Sequence, residues 1–149
     1  MTNIPDSHPR KSSLISRQKI VDGAKRGLLA DSAMIAHGRG EAYDYLLGER
    51  TTASASIAIR EAAARLLRAV RPVISMNGNS TVLAGAEAIK IAAVVGCPIE
   101  VNIYYRTEER MAGLVEELET MKEELLASSP RAERDAISTE RYFFCSRKQ

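Results

Sequence analysis

The spacing of apolar residues divides the chain into an amino-terminal helical part and a later part in which strands and helices alternate. Over residues 12–29, apolar side chains recur at roughly helical spacing. Two short helices are predicted next, over 32–36 and 41–47, with a break at residues 37–40. A long helix is predicted over 52–70. Its apolar stripe consists of Ile57, Ala58, Ala62, Leu66, Leu67 and Val70.

The character of the chain changes at Pro72. The pattern predicts a strand over 72–76, a turn over 77–80, a helix over 81–95, a strand over 98–105 and a helix over 107–127. A βαβα order implies parallel strands joined by a right-handed crossover. The predicted fold class is therefore α/β, with amino-terminal helices followed by a βαβα unit.

The predicted sheet is unfinished. Two parallel strands are fewer than the roughly four to six that α/β domains normally contain. Residues 128–149 are highly charged and give little strand signal, although residues 142–145 can form one short strand. We therefore expect part of a single domain over residues 1–127, a charged tail over 128–149, and a truncated sheet.

Composition narrows the function classes. The 149 residues suffice for one domain, and a net charge of +2 gives no broad surface for nucleic acid or membrane. No apolar run approaches the roughly 20 residues of a membrane span, and the amino terminus has no apolar signal-peptide core. Cys97 and Cys145 have no close Cys or His partners, which argues against zinc or a disulfide framework. These features favour a cytoplasmic protein without a metal site.

An arginine between two glycines is the most unusual motif. In His37-Gly38-Arg39-Gly40-Glu41, flanking glycines would let the backbone approach a ligand or adopt positive φ angles. Arg39 could then present its planar guanidinium to phosphate oxygens. Glu41 and Asp44 could hold that guanidinium or receive an amine. The alternative is an Arg–Glu pair that fastens a corner between a helix and a loop.

Polar residues also follow both predicted strands. Asn77, Gly78 and Asn79 stand between a strand and a helix, where α/β folds commonly bind anions. Arg106 occupies the equivalent position after the second strand. A plain turn and an ordinary helix cap are the alternatives at these two places. His8, in a proline-containing arm, could reach over a site, or it could lie on the surface like any exposed histidine.

Five motifs, in this order, resemble those of archaeal phosphopantothenate synthetases, the 4-phosphopantoate–β-alanine ligases of coenzyme A biosynthesis. They are SHPR at 7–10, Arg17, IAHGRGEAYDYLLGE at 35–49, PVISMNGN at 72–79 and EVNIYYRTEER at 100–110. The resemblance runs from about Asn3 to about Leu118. No part of the family is recognised in residues 119–149, and the family's carboxyl-terminal half is not found.

The resemblance implies a Rossmann-like homodimeric ligase with its site near the subunit interface. Such enzymes join 4-phosphopantoate to β-alanine with ATP and Mg²⁺ through an acyl-adenylate, and they release AMP and pyrophosphate. It also implies that Arg17 and Arg39 contact ATP, with Arg39 steadying charge during AMP transfer. We expect the acid near Asn77, Gly78, Asn79 and Arg106, with His37 and Glu41 as orienting groups.

Two other functions stay open at this stage. A truncated, non-catalytic chain could bind 4-phosphopantoate or nucleotide without turnover. A helical structural protein could instead assemble through the Ala-rich helix predicted over 52–70 and bind no small ligand.

Overall fold

The computed structural model describes residues 4–139 and 142–144. Helices and strands follow one another along these residues in the order that the apolar pattern predicts, with two differences: the two short helices predicted over 32–36 and 41–47 are one helix, and a further helix precedes the last strand. They are α1 (Lys11–Lys25), α2 (Ser32–Leu47), α3 (Ala53–Arg68), β1 (Ile74–Met76), α4 (Gly78–Val95), β2 (Ile99–Val101), α5 (Glu108–Ser128), α6 (Arg131–Ser138) and β3 (Tyr142–Phe144).

The strands form a parallel sheet in the order β1-β2-β3. Ile74 is in register with Ile99, and Ile99 with Tyr142. The predicted α/β class is thus confirmed, and the short strand expected near residue 142 is present. Three strands in the described residues are still fewer than α/β sheets usually contain.

The predicted break at residues 37–40 is wrong. Helix α2 continues through them from Ser32 to Leu47, and neither Gly38 nor Gly40 has a positive φ angle. A glycine inside a helix is less favourable than alanine by only about 1 kcal/mol, which the surrounding helix formers can offset. The glycines therefore do not bend the backbone around a ligand.

Helix ends follow the predicted signals more closely. Gly48 and Gly96 end α2 and α4 in the left-handed conformation, at φ angles of 82° and 71°. Thr52 and Thr107 cap α3 and α5, each accepting a hydrogen bond from a main-chain N–H three residues on. Helix α1 ends at Lys25 instead of near Leu29, because the chain turns at Gly27, whose φ angle is 75°.

The core is built around α4, which contacts α1, α2, α5, α6 and both β1 and β2. Its buried face packs on the buried faces of β2 and α5. Small residues permit this close packing. A Cβ atom at Gly85 would lie 2.6 Å from Met121 Sδ, and one at Gly23 would lie 3.0 Å from Val82 Cγ2.

The segment after α5 has more structure than its charge suggests. Helix α6 occupies Arg131–Ser138 and contacts α4 and α5. Ile137 anchors it in the core with 2% of its surface exposed. A single buried apolar residue in a short charged helix is a weak signal in the sequence, which explains why α6 was not predicted. Cys145 lies outside the described residues.

Helix α3 buries none of its residues. Ile57 and Ile59 are each 60% exposed, and Leu67 is 65% exposed. The predicted apolar stripe of α3 therefore lies on the surface, and the described residues do not cover it. None of the described helices combines the length and the apolar character that crossing a lipid bilayer requires.

Candidate functional site

A cavity of about 200 Å³, called here the first cavity, opens where β1 and β2 end. Its walls come from the α1–α2 loop, the start of α2, the start of α4, the segment after β2, and α5. The lining residues are Leu28, Leu29, Ala30, Ser32, Ala33, Ala36, Asn77, Gly78, Asn79, Ile103, Tyr104, Tyr105 and Arg110. This is the edge at which the sequence predicts anion binding, and all three residues of the Asn-Gly-Asn motif line it.

Asn77 uses its side chain to begin α4. Its Oδ1 accepts a 2.9 Å hydrogen bond from the Ser80 N–H, and Ser80 Oγ accepts one of 2.8 Å from the Asn77 N–H. This reciprocal capping box leaves the amides of Gly78 and Asn79 as the first-turn donors without an intrahelical acceptor. Because the Asn77 side chain is used in this capping box, a ligand would meet the main-chain amides of the helix start that Asn77 caps.

Asn79 connects two helices. Its Nδ2 donates a 3.0 Å hydrogen bond to the main-chain oxygen of Ala33 in α2. The amide nitrogen predicted to bind a ligand is thus engaged in the protein, and it fixes α2 relative to the start of α4.

Gly78 permits close packing. A Cβ atom here would lie 2.6 Å from Leu29 Cδ2 and 3.3 Å from the Leu28 carbonyl oxygen. Both leucines are buried and line the first cavity. The absence of a side chain at Gly78 therefore sets the shape of the cavity floor.

Arg110 is the cationic residue in the lining of the first cavity. Its Nη1 donates a 2.5 Å hydrogen bond to the Tyr105 carbonyl oxygen, and its main-chain N–H donates to Thr107 Oγ1 at 3.1 Å. Its Nε is buried without an acceptor among the described residues. A guanidinium held in this way can still bind an anion.

Arg106 lies apart from this lining. It is exposed and does not line either of the two cavities described here. Tyr104 and Tyr105, just before it, stand at the cavity with ring centroids 5.1 Å apart in an edge-to-face arrangement. Arg110 was not among the site residues predicted from the sequence. Its position in the first turn of α5 was a usable signal, because helical side chains lean toward the amino terminus and so toward the strand ends.

A second cavity, of about 520 Å³, lies between α1 and α2. It adjoins the first, since Ala36 and Asn79 line both. Its lining is more polar, with three serines of α1 and charged groups of α2. The residues are Ser12, Ser13, Ser16, Ala36, His37, Gly40, Glu41, Asp44, Glu49, Asn79 and Leu83.

Glu41 binds Arg10 rather than Arg39. Its Oε1 accepts a hydrogen bond from Arg10 Nη2 and another, of 3.1 Å, from Ser13 Oγ. The Ser13 hydrogen bond, together with the charge of Arg10 and its hydrogen bond, outweighs partial burial and lowers the pKa of the Glu41 carboxyl below its ordinary value. Arg10 also lies over the Tyr45 ring, 5.5 Å from its centre. These contacts hold the SHPR segment on α2.

His37 is partly buried beside this pair, and its Nε2 is buried without a partner among the described residues. His8, by contrast, is exposed, and its Nδ1 accepts a 3.1 Å hydrogen bond from the Arg10 N–H. His8 thus belongs to the turn that starts α1 and does not line either cavity.

Arg39 and Arg17 are both exposed, and neither forms an ion pair within the described residues. Residues 32, 36 and 39 share one helix face, so Arg39 lies one turn beyond the part of α2 that lines the first cavity. Arg17 lies one turn beyond Ser13 on the α1 face that borders the second cavity. Neither arginine lines either cavity, but the two lie on the helices that border the second cavity.

The glycines beside Arg39 leave its surroundings open. A Cβ atom at Gly38 or Gly40 would meet nothing within 4 Å. Their absent side chains thus serve no packing function in the described residues, but they give a ligand close access to the α2 backbone.

In the described part of the chain, no group of three or more His, Cys, Asp or Glu residues is arranged to hold a metal ion. A metal ion at this site would need some of its ligand atoms from a bound phosphate compound. Mg²⁺ is commonly bound in this way.

Comparison with known proteins identifies the class to which this fold and site belong. Residues 54–147 match the family model described as phosphopantothenate/pantothenate synthetase. The chain belongs to this family.

Individual relatives carry a more specific name. The chain is similar to the 4-phosphopantoate–β-alanine ligase of Thermococcus kodakarensis, with 51% identity over 118 residues that cover 79% of this chain and 45% of that protein. It is similar to the ligase of the same name from Methanosarcina mazei, with 45% identity over 133 residues, 89% of this chain and 53% of that one. The chain thus spans about half the length of the curated relatives it matches.

The family match corrects one expectation. The family resemblance was expected to end near residue 118, whereas the matched region extends to residue 147. It includes α6 and β3, which add a helix and a strand to the core and sheet.

Proposed function

We propose that this chain contributes the acid-binding and nucleotide-binding part of an ATP-dependent ligase that joins 4-phosphopantoate to β-alanine in coenzyme A biosynthesis. One observation carries the proposal. In a member of this family, main-chain amides of a helix start and the guanidinium of Arg110 line a cavity at the strand ends, and the neighbouring helices α1 and α2 expose two arginines that have no carboxylate partner among the described residues. The names of the relatives supply the two substrates.

The proposed reaction has two steps. The carboxylate of 4-phosphopantoate attacks the α-phosphorus of ATP, pyrophosphate leaves, and an acyl-adenylate forms. The amine of β-alanine then attacks the acyl carbon, AMP leaves with the electron pair of the broken C–O bond, and the nitrogen loses a proton. The product is 4-phosphopantothenate.

Arg39 and Arg17 are the proposed ATP ligands. Both are exposed and without carboxylate partners in the described residues, so binding triphosphate breaks no existing ion pair. Arg39 would stabilise the charge that develops at the α-phosphate, because a positioned guanidinium acts on the transition state more than on the bound substrate. Mg²⁺ would bind mainly through the nucleotide phosphates.

The start of α4 is the proposed acid site. The amides of Gly78 and Asn79 and the positive end of the helix dipole favour an anion there. Asn77 acts through the capping box, and Asn79 through its bond to Ala33. Arg106, which is exposed, would contact only the outer part of a ligand.

His37 and Glu41 have different proposed roles. Glu41 already binds Arg10 and Ser13, so its role is to hold the amino-terminal segment beside the second cavity. His37 lines that cavity, and its Nε2 has no partner among the described residues; in the neutral imidazole this nitrogen can accept the proton that the β-alanine nitrogen loses.

A homodimer is the proposed assembly. Helix α3 exposes Ile59, Leu67 and neighbouring alanines without cover from the described residues. A second copy of the chain would bury this surface, as homodimer interfaces commonly do.

Binding without turnover is the second candidate function for the isolated 149-residue chain. It is favoured by one fact: both cavities and both arginines lie in this chain, which spans about half the length of its relatives. Such a chain would bind 4-phosphopantoate or nucleotide and form no amide.

An AMP-release assay separates the two candidates. The purified chain is incubated with ATP, Mg²⁺ and 4-phosphopantoate, with and without β-alanine. The ligase proposal predicts AMP that depends on the acid and rises with β-alanine, and it predicts strong loss of AMP in R39A. Thermal stabilisation by 4-phosphopantoate without AMP indicates binding alone. Stabilisation by neither ligand contradicts both candidates and favours a structural role through α3.

A further inference from the structure

The first cavity has a cation on its wall with incomplete hydrogen bonding. Arg110 is fixed at Nη1 by the Tyr105 carbonyl, while its Nε is buried without an acceptor. It has no carboxylate partner among the described residues. A buried N–H group without an acceptor is unfavourable, and a bound anion would accept a hydrogen bond from this Nε.

The start of α4 also borders this cavity. Gly78 and Asn79 line it, and their amides are the two that the capping box leaves without an intrahelical acceptor. An oxyanion in the cavity would thus meet main-chain donors at a helix start as well as the guanidinium of Arg110.

The size and lining of the cavity restrict which part of a ligand enters it. About 200 Å³ is smaller than the roughly 300 Å³ at which pockets for whole small ligands begin. Leu28, Leu29 and Ile103 make the remaining wall apolar. The cavity suits one charged end of a molecule followed by a branched aliphatic carbon, which describes the phosphate end of 4-phosphopantoate.

The other end of the acid has to face the nucleotide. The carboxylate reacts with the α-phosphorus of ATP, and Arg39 lies one helical turn beyond Ala36, away from the cavity lining. We propose that Arg110 binds the phosphate of the phosphorylated acid inside the first cavity, so that the carboxylate points outward to Arg39. Arg110 is then a specificity residue that separates phosphorylated from unphosphorylated acid. This inference rests on the proposed function.

Two acids and three variants test this role. Calorimetric titration compares 4-phosphopantoate with pantoate on the unaltered chain and on R110Q, R110K and R134Q. R110Q is expected to weaken 4-phosphopantoate binding by at least about tenfold, because a charge-assisted pair is lost. Pantoate binding should change less than about threefold, since pantoate lacks the phosphate. The affinity of R110K for 4-phosphopantoate should lie between those of the unaltered chain and R110Q, because lysine keeps the positive charge but not the planar guanidinium with its several N–H donors.

R134Q is the matched control, since it removes an exposed arginine of α6 that lines neither cavity, and it should preserve the preference for the phosphorylated acid. Circular dichroism and the Tm without ligand establish whether each variant is folded. If R110Q is not folded, the preference of R110K for the phosphorylated acid decides the role of Arg110. An unchanged preference in folded R110Q, or equal weakening of both acids, overturns the role of Arg110 while the proposed function stands. Failure of the unaltered chain to bind either acid overturns the acid site itself, and this inference with it.

Discussion

Asn79 donates a hydrogen bond of 3.0 Å from its side-chain nitrogen to the main-chain oxygen of Ala33, and Asn79 lines both cavities. The contact joins the helix that follows β1 to the helix that carries Arg39. One side-chain hydrogen bond therefore helps to fix the helix that carries Arg39 relative to the start of α4.

Asn79→Ala should reduce the free energy of unfolding by about 1 kcal/mol, because a partly buried hydrogen bond is lost. It should also weaken the binding of both ATP and 4-phosphopantoate, since α2 is no longer bonded to the start of α4. Urea denaturation and calorimetric titration measure the two effects. Loss of stability with both affinities unchanged would show that this contact does not position the site.

Removing the cap of α4 should act on stability through a different bond. Asn77→Ala should cost about 1 kcal/mol, the usual effect of deleting a capping side chain. Asn77→Ser, which keeps an acceptor at the same position, should restore most of that loss. If the alanine and serine variants unfold at the same denaturant concentration, the capping box contributes little in solution.

Replacing glycine with alanine should change stability in opposite directions in the two glycine-containing motifs. Gly78→Ala should destabilise the fold by about 1–3 kcal/mol, because the new Cβ atom overlaps Leu29. Gly38→Ala and Gly40→Ala should each stabilise it by about 0.5–1 kcal/mol, since both positions are helical and open. Thermal unfolding measures all three variants.

The same two α2 variants test why glycine stands beside Arg39. If a ligand approaches the backbone there, G38A and G40A should weaken ATP binding although they stabilise the protein. Titration with ATP measures this, and S56A on the exposed helix α3 serves as a control that should leave ATP affinity unchanged. Increased stability with unaltered ATP affinity would exclude a role of these glycines in ATP binding.

Glu41 predicts a specific dependence on pH. Its folded-state pKa lies below the ordinary value of 4.5, so its ionised form stabilises the fold above that pH. The contribution is lost as the pH falls through the folded-state pKa. Unfolding free energies measured between pH 7 and pH 3 should therefore decline less steeply for E41Q than for the unaltered chain. D44N, which alters an exposed carboxylate of the same helix, should retain the original slope; identical slopes for E41Q and the unaltered chain would contradict the assignment.

Local sequence signals predicted much of the fold. The helix ends were predicted correctly at Thr52, Thr107, Gly48 and Gly96. A capping side chain or a glycine in the left-handed conformation depends only on residues a few positions away. The continuous α2 was not predicted, since its helical neighbours outweigh the local cost of Gly38 and Gly40. Ile137 likewise stabilises α6 through contacts with distant helices, which local charge does not reveal.

The site was predictable only in part. The Asn-Gly-Asn motif lies at the cavity, because a strand followed by a helix creates that position in any parallel sheet. The Arg10–Glu41 pair joins residues 31 apart in sequence and depends on how α1 packs on α2. The position of Arg110 at the cavity, in preference to Arg106, depends on the rotation of α5 about its axis, which is set by packing.

A crystal structure of the chain with 4-phosphopantoate and a non-hydrolysable ATP analogue tests the central claim most directly. We predict the acid phosphate between Arg110 and the amides of Gly78 and Asn79, its carboxylate toward the α-phosphate, and Arg39 on the nucleotide. Both ligands bound away from the two cavities, with Arg39 and Arg110 in contact with neither, would contradict it.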